Sequence, residues 1–248
     1  FNVTYYSFIL LKIKTTIKFH FKMITLKSLH KSFGKNEVLK NINLQFKAGE
    51  INGIVGENGA GKTTLFNCIG GFEDYEGTIS YSNDNIKNVT GFLTTDPYFL
   101  GKITGLEYLQ LMCNARDVEF INPEEKNIFD LPLNRYAENY STGMKKKLAL
   151  TATLLQGNDI FILDEPFNGV DIQSNIIIKE LLFKLKELNK IVILSSHIFS
   201  TLNETCDYLH HLRDGEIINS VGKDKFALIE KNMISNTVEN RIENLNLN

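Results

Sequence analysis

The residues Gly56-Glu57-Asn58-Gly59-Ala60-Gly61-Lys62-Thr63 follow the pattern G-x-x-x-x-G-K-[ST] at every fixed position. These residue types suit the wrapping of a chain of phosphates. Glycine lets the backbone turn closely enough for successive N–H groups to point at phosphate oxygens, and a helix opening just afterwards adds partial positive charge. The Lys62 ammonium would reach the β- and γ-phosphates of ATP, and the Thr63 hydroxyl would ligate Mg²⁺. Gly56, Asn58, Gly59, Ala60, Gly61, Lys62, Thr63 and the adjoining Thr64 are therefore candidate nucleotide-binding residues. Phosphoryl transfer to water needs two further groups, a carboxylate for the metal and a base for the water. Asp164 and Glu165, closing the apolar run Phe161-Ile162-Leu163, are of the right type for Mg²⁺ and for the base respectively. Paired acids after a strand can also cap the next helix; beside a phosphate loop the chemical reading is favoured.

Positioning these groups requires strands that end, and helices that begin, at one edge of a sheet. Ile51–Val55 reads as a compact apolar strand leading into the loop, and a helix is expected from about Gly61 to Ile69, stopped by Gly70-Gly71. Ile160–Leu163 and Ile191–Leu194 are short apolar runs of the kind found in parallel strands buried on both faces. An amphipathic helix over about Ile172 to Leu188 separates them, and such alternation argues for an α/β sheet. Upstream, Ile24 to Phe46 reads as two short strands around Gly34-Lys35-Asn36; downstream, Tyr208–Leu212 and Glu216–Ile218 read as a hairpin around Arg213-Asp214-Gly215. Between the two halves, Thr104 and Glu107 make a capping box for one helix, and a second opens at Ser141 with Met144, Leu148, Thr151, Ala152 and Leu155 along a stripe.

With 248 residues, 43% of them hydrophobic, the chain is long enough for one sizeable core. A formal net charge of -2 gives no basic footprint for nucleic acid, and none is expected as a partner. Cys68, Cys113 and Cys206 are scattered without metal-ligand spacing and read as reduced thiols. No apolar run approaches the ~18–20 residues of a membrane span. Residues 1–22 carry Lys12, Lys14, Lys18 and Lys22 and no acidic residue, and read as a leader or extra segment before a domain starting at Met23. The Asn-rich residues 223–248 read as a weakly ordered tail.

Further motifs then form a pattern. Tyr140-Ser141-Thr142-Gly143-Met144-Lys145 resembles the signature sequence of the ABC-family ATPases, usually written LSGGQ, and Ser141 stands 23 residues before Asp164, the family's spacing. Asn168-Gly169-Val170-Asp171 resembles the family's D-loop, and Ser196-His197, with His197 lying 32 residues past Glu165, its switch histidine. The resemblance spans about residues 23–222, with the motifs in family order. It implies a P-loop NTPase fold of the RecA-like kind: a mixed-sheet α/β core, an N-terminal antiparallel β part, and a helical subdomain inserted at about 97–150.

It also implies a mechanism, in which two domains face head to tail and trap two Mg-ATP, each between one phosphate loop and the partner's signature helix. Ser141 and the Gly143 N–H would contact the γ-phosphate across a homodimer, Asp171 of the D-loop would belong to the same nucleotide site, and His197, with Glu165 a catalytic residue, would contact that γ-phosphate from its own chain. On residues alone, Ser141 is equally an N-cap and His197 a strand-end histidine. Phe33 falls where the family stacks an aromatic on adenine; a core strand residue is the other reading. Two departures stand out. Thr142 replaces a signature glycine, and Thr95, in Gly91-Phe92-Leu93-Thr94-Thr95-Asp96-Pro97, stands where the family has a metal-contacting glutamine. A threonine hydroxyl can ligate Mg²⁺ but reaches less far. His30, His210 and His211 read as structural, and Lys145-Lys146-Lys147 as the solvated face of the signature helix. By resemblance the chain is the motor subunit of an exporter-type transporter, held at the inner face of the cell membrane by a separate permease. The alternative class is a soluble ABC ATPase acting on ribosomes or DNA. It fits less well with the 46-residue span from Thr95 to Ser141, which leaves no room for a long coiled-coil insertion. A small-molecule kinase would leave the signature and His197 unexplained.

Overall fold

Alternating apolar residues give the first two strands a common buried face. In the computed structural model, which describes residues 22–82, 85–231 and 233, β1 (Met23–Phe33) and β2 (Asn36–Lys47) pair antiparallel from Phe33↔Asn36 to Met23↔Lys47. Leu39, Ile42, Leu44 and Phe46 point inward from β2. β4 (Glu76–Tyr81) adds to the free edge of β1, closing a three-stranded antiparallel sheet in the order β2-β1-β4. Both long strands exceed the short ones read from the sequence, and β4, poor in buried residues, was not legible there.

The second sheet has six strands in the order β5-β6-β7-β3-β8-β9: β3 is Glu50–Val55, β5 Thr90–Leu93, β6 Ile160–Leu163, β7 Ile191–Ser195, β8 Tyr208–Arg213 and β9 Glu216–Gly222. All pairs are parallel except the β8–β9 hairpin. The mixed α/β sheet and its antiparallel N-terminal part are the expected P-loop architecture. Alternation along β6 explains why its apolar run is continuous. Ile160 and Ile162 pack with the antiparallel sheet and with α1 (Lys62–Gly70), whereas Phe161 and Leu163 pack with the helices on the other side.

Between β5 and β6 lie α3 (Gly105–Asn114), the single turn α4 (Pro123–Lys126) and α5 (Thr142–Leu155), after the short α2 (Ile86–Val89) that precedes β5. The capping box at the start of α3 is present, with Glu107 N donating to Thr104 Oγ1 at 3.2 Å and Thr104 N to Glu107 Oε2 at 2.8 Å. α6 (Ile172–Glu187) connects β6 to β7, and α7 (Phe199–Thr205) connects β7 to β8.

The segment beyond Gly222 differs from its expectation. A 3-10 turn (Lys223–Lys225) leads into a helical stretch whose Phe226 and Ile229 are buried in the main core, so apolar burial continues the domain past residue 223. Lys22, assigned to the leader, pairs with Asp159. The rest of the leader and the end of the tail lie outside the described residues. The three cysteines are free and buried, and burial pushes the Cys68 thiol up to about 11 and that of Cys206 to about 12.

Candidate active site

β3 delivers the chain to the phosphate loop beneath the end of β8. Gly56 is required there by close approach, since a Cβ on it would stand 2.2 Å from the Leu212 carbonyl oxygen. Gly61, at φ 107, is the N-cap of α1 and gives no side-chain cap, so no side chain blocks the N–H groups of the first turn from an anion. Lys62 Nζ curls over the loop and donates to Gly56 O at 2.8 Å and Glu57 O at 3.1 Å. Burial pulls the pKa of this ammonium below its ordinary value, while the carboxylates of Glu165 and Asp164 oppose the shift.

The end of β6 brings the acids to the same place. Thr63 Oγ1 donates to Asp164 Oδ2 at 2.8 Å, and Ser195 Oγ, at the end of β7, donates to Asp164 Oδ1 at 2.5 Å. Ser195 Oγ also accepts from Glu165 N at 2.9 Å. One buried serine thus fixes the carboxylate of Asp164 and the backbone of Glu165 together. Glu165 adopts φ 52, a left-handed conformation uncommon for a residue with a Cβ, which turns its side chain out of the strand toward His197. His197 Nδ1 lies 2.9 Å from Glu165 Oε2, and His197 N donates to the same oxygen at 3.3 Å. A cavity of about 340 Å³ is lined by Lys62, Thr63, Thr64, Asp164, Glu165 and, from the loop after β5, Thr95, together with Asn58, Gly59, Gly61 and Val38.

The donor set suits Mg²⁺. Three hydroxyls, of Thr63, Thr64 and Thr95, and the carboxylates of Asp164 and Glu165, all hard oxygen groups, line one space, and among the described residues no cluster of three or more His, Cys, Asp or Glu side chains forms an all-protein cage. Magnesium favours this arrangement, with one or two protein oxygens and the remaining coordination left to phosphate and water.

Other candidate residues lie elsewhere. Ser141 is the N-cap of α5 and accepts from Met144 N at 3.3 Å. Gly143 packs on the 168–171 loop so closely that a Cβ would stand 2.5 Å from Gly169 O. Asp171 caps α6, accepting from Ser174 N at 2.8 Å, and pairs with Lys147 at 3.1 Å. Those hydrogen bonds hold its carboxyl well below the usual range, with the Ser174 N–H contributing most. None of these three lines the phosphate cavity. Phe33 is 48% exposed and is not a core residue; the Lys31 ammonium stands 4.5 Å from its ring centroid. His210 bridges Asn52 Oδ1 at 3.2 Å and Ser220 Oγ at 2.9 Å, a structural placement.

One reading is overturned. Lys146, taken as part of a solvated lysine run, is 1% exposed. Helical periodicity sets it on a face with Ala149, Leu150 and Thr153, all buried, and that period was the available signal. Ser195 was also missed, because a serine ending an apolar run carries no motif.

Comparison with known proteins agrees with this geometry. The ABC transporter family profile matches residues 39–168. The ABC transporter ATP-binding protein NatA of Bacillus subtilis is 32% identical over 216 residues, covering 79% of this chain and 88% of that protein. The bacitracin transport ATP-binding protein BcrA of Enterococcus faecalis is 29% identical over 220 residues, covering 80% and 69% respectively. A solved structure of the ATP-binding subunit of an ABC transporter superposes with a TM-score of 0.75 at 22% identity, covering 86% of this chain and 98% of that one. The chain belongs to the ABC transporter family and is one of its ATP-binding, ATP-hydrolysing domains.

Proposed function

We propose that this domain is the motor subunit of an exporter, dimerising around two Mg-ATP and driving a separate membrane permease from the inner face of the membrane. The observation that carries the hydrolytic part is the fixed pair of acids. Asp164 is held at both oxygens, by Thr63 and Ser195, and the Glu165 carboxylate beside it is bonded to His197. Mg²⁺, when bound, would supply positive charge that neutralises charge developing on the phosphates. Thr63 and Asp164, with Thr95 at the cavity wall, are the groups that would hold it. Lys62 swings from the loop carbonyls to the phosphates. Glu165 takes the proton of the attacking water, and His197 orients that carboxylate from the solvent side.

Dimerisation is supported by what the phosphate cavity leaves out. Ser141 stands at the N-terminus of a 14-residue helix, where an anion is favoured, yet does not line the phosphate cavity of its own chain. A second chain would bring it to the γ-phosphate, with Gly143 and Asp171 beside it, and Phe33 would offer its open ring face to adenine. A permease is supported by the exposed apolar side chains Tyr98 and Leu100, three and five residues beyond Thr95. Export is supported by relatives named for bacitracin and lantibiotic transport; the latter, SrtF of Streptococcus pyogenes, is 25% identical over 205 residues.

Replacing Glu165 with glutamine tests the reading, because it keeps the shape and removes the base. The variant should bind ATP, lose turnover by at least a hundredfold, and run as a dimer in size-exclusion chromatography with Mg-ATP but as a monomer without it. A monomer under both conditions would defeat the homodimer.

A further inference from the structure

Lys146 sits in the second turn of α5 and is among the largest side chains of the protein that are fully buried. Its Nζ donates to three carbonyl oxygens: Thr94 at 3.2 Å, Thr95, and Asp164 at 3.5 Å. Among the described residues no carboxylate forms an ion pair with it. The three carbonyls belong to the segments that leave β5 and β6, which are themselves joined where Asp164 N donates to Leu93 O at 2.8 Å. A buried ammonium whose hydrogen bonds go only to carbonyls, with the Asp164, Asp96 and Glu165 carboxylates acting on it only through space, is a costly way to fill a core position, and an apolar side chain of the same length would pack there at lower cost. What the charge does that an apolar chain cannot do is hold two consecutive peptide carbonyls of one loop against a third from the neighbouring strand. Those are the carbonyls of Thr95, which lines the nucleotide cavity, and of Asp164, which anchors Thr63. Because a threonine hydroxyl has almost no reach of its own, its place in the cavity is set by the backbone that carries it.

We infer that Lys146 is a positioning residue that clamps the Thr94–Thr95 backbone to the end of β6, so that the Thr95 hydroxyl faces the metal side of the nucleotide cavity, and that it ties this clamp to the helix beginning at Ser141. The inference rests on the proposed reading of Thr95 as a metal-side residue. It assigns to the lysine run a function separate from charge on a solvated face, since Lys146 is buried while its neighbours Lys145 and Lys147 are only partly so.

The test uses calorimetric ATP binding to the full chain, with Mg²⁺ and with Mg²⁺ chelated, for Lys146→Met, Thr95→Val and the double variant. The quantity read is the ratio of the two affinities, which a loss of general stability does not change. Lys146→Met should lower the ratio about fivefold to tenfold while leaving metal-free binding unchanged. Thr95→Val should lower the ratio by a similar factor, and the double variant should be no worse than the worse single one, as expected for two residues acting as a unit. In the nucleotide-free protein, amide hydrogen exchange at residues 94–96 should speed up in Lys146→Met while exchange at 148–155 stays protected. If Thr95→Val lowers the ratio and Lys146→Met does not, the inference falls and the reading of Thr95 stands. If Thr95→Val is silent, that reading falls and the inference falls with it. Additive losses in the double variant would also overturn it. Should Lys146→Met not accumulate as folded protein, Lys146→Gln, with a donor on a shorter stem, is read by the same ratio.

Discussion

Lys62, Thr63, Asp164 and Glu165 were legible because their chemistry depends on local spacing: a loop of fixed length and two acids ending a strand. Ser195 and Lys146 act through contacts that span 31 and 51 residues, to Asp164 and to the Thr95 carbonyl respectively, and no local pattern encodes such distances. Ser195→Ala should show what the missed residue contributes. It removes a buried donor to Asp164 and the part-buried acceptor of the Glu165 N–H, and hydrogen bonds to charged groups contribute about 1.5–3 kcal/mol. Denaturant unfolding should therefore register a loss of about 2 kcal/mol. Turnover should fall further than ATP affinity, because the groups displaced are the metal carboxylate and the base and not the phosphate loop.

The two strongly apolar inner strands β6 and β7 were read at almost their observed limits, since burial on both faces leaves a continuous apolar run. β4 and β5 were not, because β4 is a short edge strand with little burial and β5 an edge strand of four residues whose Thr90-Gly91 start breaks any apolar run. The contact of α5 with the 168–171 loop is likewise invisible in sequence, yet it turns a signature glycine into a packing requirement. Gly143→Ala would press a methyl group onto the Gly169 carbonyl and force the two segments apart. Thermal unfolding should show a loss of about 1–3 kcal/mol, whether or not a second chain is present. The β8 strand supplies a pH dependence. Burial pushes the His210 imidazole down to about 4 from 6.5, so the folded protein excludes a proton that the unfolded chain accepts. Stability is therefore full above about pH 6.5, declines as the pH falls toward 4 and levels off below, by up to about 3 kcal/mol. His210→Gln should remove most of that decline in denaturation measured across the range. His211, also lowered chiefly by burial, accounts for a remainder.

Over the whole molecule, the family and fold were legible because five motifs occur in one order, whereas the layering of the two sheets emerges only from which faces the helices cover. The order of the large sheet has a consequence for how the protein is made. β3, which carries the phosphate loop, lies between β7 and β8, whose residues are synthesised more than 130 positions later. During synthesis the apolar segment Ile51–Val55 therefore starts with neither of its partners: one edge stays open until residue 195 has emerged and the other until residue 213. Pairings of such long sequence separation form slowly and leave apolar edges exposed to other chains. The nucleotide loop, first in sequence among the active-site segments, is thus the last to be locked, because Gly56 is seated against Leu212. A chain ended at residue 207 should accumulate as aggregate and retain no ATP on filter binding, even though it contains the complete set of nucleotide and metal residues. ATP added during translation should protect the full chain from proteolysis only once β8 has been made.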